Sequence, residues 1–109
     1  RKEGDIIYKF HIYWTEAMKV EFLQRVILVH SYLYYMLDDS VWTDKHYDEV
    51  ANQLTSIQKE HTEDWVKVNT QYGYVFYDYD GTTGFDLWDR LKQKDKQYIS
   101  NIAEKLVKR

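Results

Sequence analysis

Between residues 20 and 57 the apolar side chains fall at helical spacing in two runs, and one short polar break parts them. Little besides a helical hairpin satisfies that pattern. In the first run Val20, Leu23, Val26, Ile27, Leu33, Tyr34 and Leu37 recur at intervals of three and four, with one six-residue step that His30 bridges. Asp38-Asp39-Ser40 then interrupts with side chains that bond their own backbone in turns. The second run, Tyr47, Val50, Ala51, Leu54 and Ile57, supplies the buried face of a second helix. Thr15 predicts the first N-cap, and Thr43 or Asp44 the second, because their side-chain oxygens can accept from orphan N–H groups of the first turn. A short connection makes the two helices antiparallel neighbours.

The remainder is less regular. From Ile6 to Trp14, apolar residues alternate with a second set in a strand period, which predicts a strand. A less ordered stretch with Trp65 and Val68 begins at Thr62. Tyr72 to Tyr79 is aromatic and β-branched around Val75, so an extended segment packed over the hairpin is expected. Residues 80–84 read as a loop, with glycine supplying positive φ. A third helix from about Asp86 to the end carries the stripe Leu87, Leu91, Tyr98, Ile102 and Leu106, with Trp88 beside it. The expected class is mainly α: a helical hairpin plus a C-terminal helix, with one or two short strands. Residues 1–17 read as an N-terminal extension with a candidate strand, and 18–109 as the helical domain. Met18 is a plausible natural start.

Composition narrows the function classes. The chain has 109 residues, enough for one domain, and its 44% hydrophobic and 17% aromatic content can build a core despite 30% charged residues. Cysteine is absent, which excludes disulfides, thiolate metal sites and cysteine nucleophiles, and makes a reducing compartment the natural home. No apolar run approaches the ~20 residues needed to span a bilayer, so no membrane role is expected. The net charge of −3 hides an asymmetry. Residues 38–64 carry eight acidic side chains against Lys45 and Lys59, and residues 89–109 carry seven basic ones against three acidic. Two solvated faces of opposite sign are the simpler reading, and a basic tail that meets an acidic partner or phosphate with an acidic surface that meets a basic protein is the sharper one; the basic tail is too short to argue for direct nucleic-acid binding.

One motif stands out. Tyr34-Tyr35-Met36-Leu37-Asp38 is followed, after five residues, by Asp44-Lys45-His46-Tyr47-Asp48. Asp44, Tyr47 and Asp48 lie at i, i+3 and i+4 and so share a helix face, and the hairpin turn brings them to the end of the first helix. Aromatic faces there can stack on a cationic nicotinamide ring, and carboxylates can accept from ribose hydroxyls or a carboxamide. The alternative is structural: Asp44 and Asp48 favour a helix dipole, and Tyr34 and Tyr47 fill hairpin core.

The spacing of Tyr34, Tyr35, Asp38, Asp44, Tyr47 and Asp48, over residues 23–64, resembles the small N-terminal helical segment of bacterial NAD-dependent DNA ligases. The resemblance implies that Tyr34, Tyr35, Asp44, Tyr47 and Asp48 hold the nicotinamide mononucleotide half of NAD. The break lacks the proline common in that family, and His46 stands where Glu is common. The run from Phe76 to Leu87 is also similar to small phage and prophage proteins described as DNA ligase-related.

Ligase chemistry itself is not expected. The nucleophile in that family is the Lys of Lys-x-Asp-Gly, and at Asp80-Gly81 the matching position is Asp78, which cannot form a phosphoramide with AMP. His11, His30, His46 and His61 lack metal-ligand spacing, so no metal cofactor is expected. Two functions remain in view: a non-catalytic module binding NAD, nicotinamide mononucleotide or a related nucleotide, and a phage protein that binds a host protein. For the second, Trp42 as an exposed anchor with Asp38, Asp39 and Glu49 as its rim is the expected surface. Either role implies the cytoplasm of a bacterial host.

Overall fold

Threonine side chains set where the first helices begin. In a computed structural model, which describes residues 8–39, 41–81 and 86–107, Thr15 accepts from the Met18 N–H and opens α1, Glu16–Tyr35. Thr43 accepts from His46 N–H at 3.1 Å and opens α2, Asp44–Gln58. Thr62 does the same for α3, Glu63–Asn69, through Trp65 N–H at 3.0 Å. Three short or amphipathic helices follow: α4, Gly73–Phe76; α5, Leu87–Arg90; and α6, Gln93–Val107.

α1 is the central element. Its buried residues Leu23, Gln24, Ile27, Leu28 and Val29 occupy more than one face, which α2 and α6 cover. Val50, Ala51 and Leu54 of α2, Tyr72, Val75 and Phe76 around α4, and Ile99 and Ala103 of α6 complete one apolar core. Burial of this kind, at about 25 cal/mol per Å2 of apolar surface, is the main source of stability. A buried amide relay crosses it: Gln24 Nε2 donates to Gln58 Oε1 at 3.2 Å, and Gln58 Nε2 donates to the Phe76 carbonyl at 2.6 Å.

Several expectations are corrected. No strand occurs among the described residues. Residues 11–14 form a turn, closed by Trp14 N–H on the His11 carbonyl at 2.9 Å, and 8–10 are irregular, while Ile6 and Ile7 of the alternating run lie outside the described residues. Tyr8, Phe10 and Trp14 gather around Phe22, and Tyr8 exchanges two backbone bonds with the Gln53 side chain. The Tyr72–Tyr79 stretch does cover the hairpin, but as the helical turn α4 rather than an extended segment. Gly73 makes that possible: a Cβ there would stand 2.0 Å from the Val66 carbonyl oxygen, so only glycine lets the two backbones meet.

The C-terminal helix is divided into α5 and α6, and its inward face is rotated. Tyr98 and Leu106 are exposed, whereas Asp95, Ile99 and Ala103 are buried. Asp95 turns inward because the Tyr74 hydroxyl donates to its Oδ2 at 2.5 Å, while that hydroxyl oxygen accepts from Lys92 N–H at 2.9 Å. In the predicted loop at residues 80–84, Gly81 has φ 86, against Thr55 of α2; residues 82–84 lie outside the described residues.

Candidate functional site

The end of α1 leaves aromatic surface uncovered. Tyr34 and Tyr35 are 46% and 41% exposed, and their rings meet edge to face at 4.8 Å. Beyond them the chain folds back on the helix. Met36 and Leu37 N–H both donate to the Tyr32 carbonyl, and Asp39 N–H donates to that of Leu33 at 2.9 Å. Asp38 adopts φ 50, a left-handed conformation that Asp tolerates better than most residues. Met36, Leu37 and Val41 remain exposed along this turn.

α2 then presents its first turns to the same corner. Tyr47 is half-buried, and its hydroxyl shares a 2.8 Å hydrogen bond with Ser31 of α1. Burial pushes the Tyr47 hydroxyl pKa up, against the Ser31 bond, and Tyr35 and Asp48 lie near enough to act on it. Asp44 and Asp48 are exposed on the face that Tyr47 shares. Asp44 also lies in the first turn of α2, where a carboxylate favours the helix dipole. The corner therefore joins Tyr35, Tyr47 and Asp48, with Tyr34 against Tyr35 and Asp44 one turn from Asp48.

Three residues that local sequence did not single out complete this corner. His30 stacks face to face on Trp42, with centroids 3.5 Å apart and planes 10° from parallel. Its Nδ1 is buried without a hydrogen-bond partner. Burial, with His46 nearby, lowers the His30 pKa to about 4, so the ring is neutral at physiological pH. Ser31 is the Tyr47 partner already described. Tyr79, from the segment after α4, buries its hydroxyl beside Tyr47 without meeting it in hydrogen-bonding geometry, and burial raises its pKa strongly. His30 and Ser31 lie four residues before Tyr34 and Tyr35, which was a usable helical signal. Tyr79 arrives by tertiary folding alone.

The expected protein-binding rim is only partly present. Asp38 and Asp39 are exposed, and Glu49 is half-buried. Trp42 is not the exposed anchor anticipated: it is half-buried between the His30 face and the edge of His46, 4.8 Å away. An open groove of about 330 Å3 lies elsewhere, between the C-terminal half of α2, α3 and residues 77–80. It includes none of the predicted site residues and meets the corner only through Tyr79. Among the described residues no group of three or more His, Asp or Glu side chains is arranged to hold a metal ion, and no helix is long and apolar enough to cross a membrane.

Comparison with known families bears on this corner. The profile of the DNA ligase-like, N-terminal NAD+-binding domain matches residues 15–69, just over half of the chain. The chain belongs to this family. In this ligase-like domain the match takes in α1, the turn, α2 and α3, and so contains every predicted nucleotide-site residue. α4, α5, α6 and Tyr79 lie beyond it. No curated protein and no solved structure gives a significant match.

Proposed function

We propose that this ligase-like domain binds the nicotinamide mononucleotide half of NAD, or a closely related nucleotide, at the corner of α1 and α2 and does not turn it over. The observation that carries the reading is the convergence of Tyr34, Tyr35, Tyr47 and Asp48 within the segment matched by an NAD+-binding family. The tyrosine faces stack on the pyridinium, and Asp44 and Asp48 accept from ribose or carboxamide donors. Ser31 fixes the tilt of the Tyr47 ring.

The chain offers little for catalysis of nucleotidyl transfer. Asp78, two residues before the Gly-preceding Asp80, is engaged with Arg90 at 2.7 Å, and a carboxylate there has no nucleophilic amine to offer. Calorimetric titration with nicotinamide mononucleotide tests the reading. Saturable heat at micromolar to millimolar ligand is expected, and lack of any heat at millimolar ligand contradicts it.

A second reading is favoured by one observation. Tyr34, Tyr35, Met36, Leu37 and Val41 form an exposed apolar group flanked by Asp38 and Asp39. Such a surface suits a protein partner with basic residues, as expected of a small phage-type protein acting on a host factor. Pull-down from bacterial lysate with wild type and Leu37→Asp tests it: a partner lost on substitution supports it, and a partner retained sends the contact elsewhere.

A further inference from the structure

The stack of Trp42 on His30 is unlike the other ring contacts of this corner. Aromatic pairs left to choose prefer offset or edge-on arrangements with centroids 4.5–7 Å apart. Tyr34–Tyr35, Trp42–His46 and Trp42–Tyr47 all follow that preference. His30 and Trp42 instead overlap almost fully at 3.5 Å. Trp42 belongs to the connection between α1 and α2, whose neighbouring members Met36, Leu37 and Val41 face solvent. It is the large side chain of that turn that reaches inward, and it lies flat.

Two further facts concern the same place. His30 Nδ1 and the Tyr79 hydroxyl are both buried without a partner in hydrogen-bonding geometry; His30 precedes Ser31 in α1, and the Tyr79 hydroxyl lies near that of Tyr47. An unsatisfied buried polar atom costs about 1–3 kcal/mol, so each of these two atoms marks a place that another group would complete. A carboxamide has donors and an acceptor to offer them. Tyr34 lies one turn beyond His30 on the same face of α1. A flat ring over His30 would therefore sit beside the exposed tyrosines.

We propose that Trp42 occupies the place on the His30 ring that an aromatic ring of the bound nucleotide takes, so that binding displaces Trp42 and makes His30 a stacking face of the site. This rests on the nucleotide reading above. Trp42 is then a built-in competitor, and the resting domain is closed to its own ligand. A neutral imidazole is a suitable face for a pyridinium, since a protonated one would repel it.

The test measures nicotinamide mononucleotide affinity by calorimetry for wild type, Trp42→Ala and Trp42→Leu, and follows the Trp42 indole N–H by NMR. Leucine keeps the apolar volume in case the alanine variant does not fold. Removing the competing ring should tighten binding about threefold to tenfold in the variants. The wild-type Trp42 indole resonance should move as ligand saturates. Equal or weaker binding to the variants, or an unmoved indole at saturation, overturns displacement while leaving nucleotide binding in place. No binding by any of the three proteins overturns both.

Discussion

The two ends of the α1–α2 hairpin are built from the same two helices and treat their aromatic groups in opposite ways. At the end formed by the start of α1 and the close of α2, side chains are tied inward. Gln24, Gln58 and the Phe76 carbonyl form a buried relay, with Gln24 Oε1 and the nearby Tyr72 hydroxyl left without partners, and Tyr8, Phe10 and Trp14 cluster on Phe22. His61 stacks on Trp65 and reaches Glu16 at 3.4 Å. At the other end Tyr34 and Tyr35 face solvent, Asp38 is left-handed, and His30 Nδ1 and the Tyr79 hydroxyl go unpartnered. A structural end covers its aromatic rings, whereas a site keeps aromatic surface open.

Substitutions break this contrast in graded steps. The largest effect should come from Gly73→Ala on the structural side. A methyl group 2.0 Å from a backbone carbonyl must push α3 and α4 apart, at a cost of about 3 kcal/mol or more in urea unfolding. Gln58→Ala should cost about 2–3 kcal/mol, because the Phe76 carbonyl and Gln24 amide both lose their buried partner. Neither change touches a nucleotide-site residue, so a variant that folds should retain ligand affinity.

On the site side the effects turn from stability to binding. The folded-state pKa of His30 lies near 4, below its ordinary 6.5, so the unfolded chain binds a proton that the folded chain refuses. Stability should therefore be highest above pH 6.5, fall between pH 6.5 and 4, and level off below. The loss is about 1–2 kcal/mol once partial exposure is allowed for, and His30→Gln should flatten that part of the profile. Tyr34→Ala should have the smallest effect on unfolding, within about 0.5 kcal/mol, since its ring is nearly half exposed. It should nevertheless weaken nicotinamide mononucleotide binding at least tenfold by calorimetry.

The contrast also explains what the sequence disclosed. The hairpin was legible because its apolar period, its Asp-Asp-Ser break and its threonine caps all agree, and the structure has Thr15 and Thr43 capping as expected. Composition misled at Tyr72–Tyr79: β-branched and aromatic residues suggest an extended chain, but the close approach at Gly73 and the burial of Val75 and Phe76 select a helical turn. The face of α6 was hidden for a similar reason. A buried Asp95 makes sense only once Tyr74, 21 residues away, is beside it. For the site, the tyrosine and aspartate spacing was readable, because helix geometry fixes it. The inward turn of Trp42 and the arrival of Tyr79 depend on packing between distant segments, which no local pattern encodes.

The difference between the two ends can be read in a single NMR titration of labelled protein with nicotinamide mononucleotide. Saturable shifts in the amides of Tyr34, Tyr35, Asp44, Tyr47 and Asp48, with Gln24, Gln58 and Phe22 unmoved, are the predicted result. Shifts gathered instead in the groove around Thr55, Lys59 and Tyr77, or no shifts at millimolar ligand, would contradict a nucleotide site at the corner of α1 and α2.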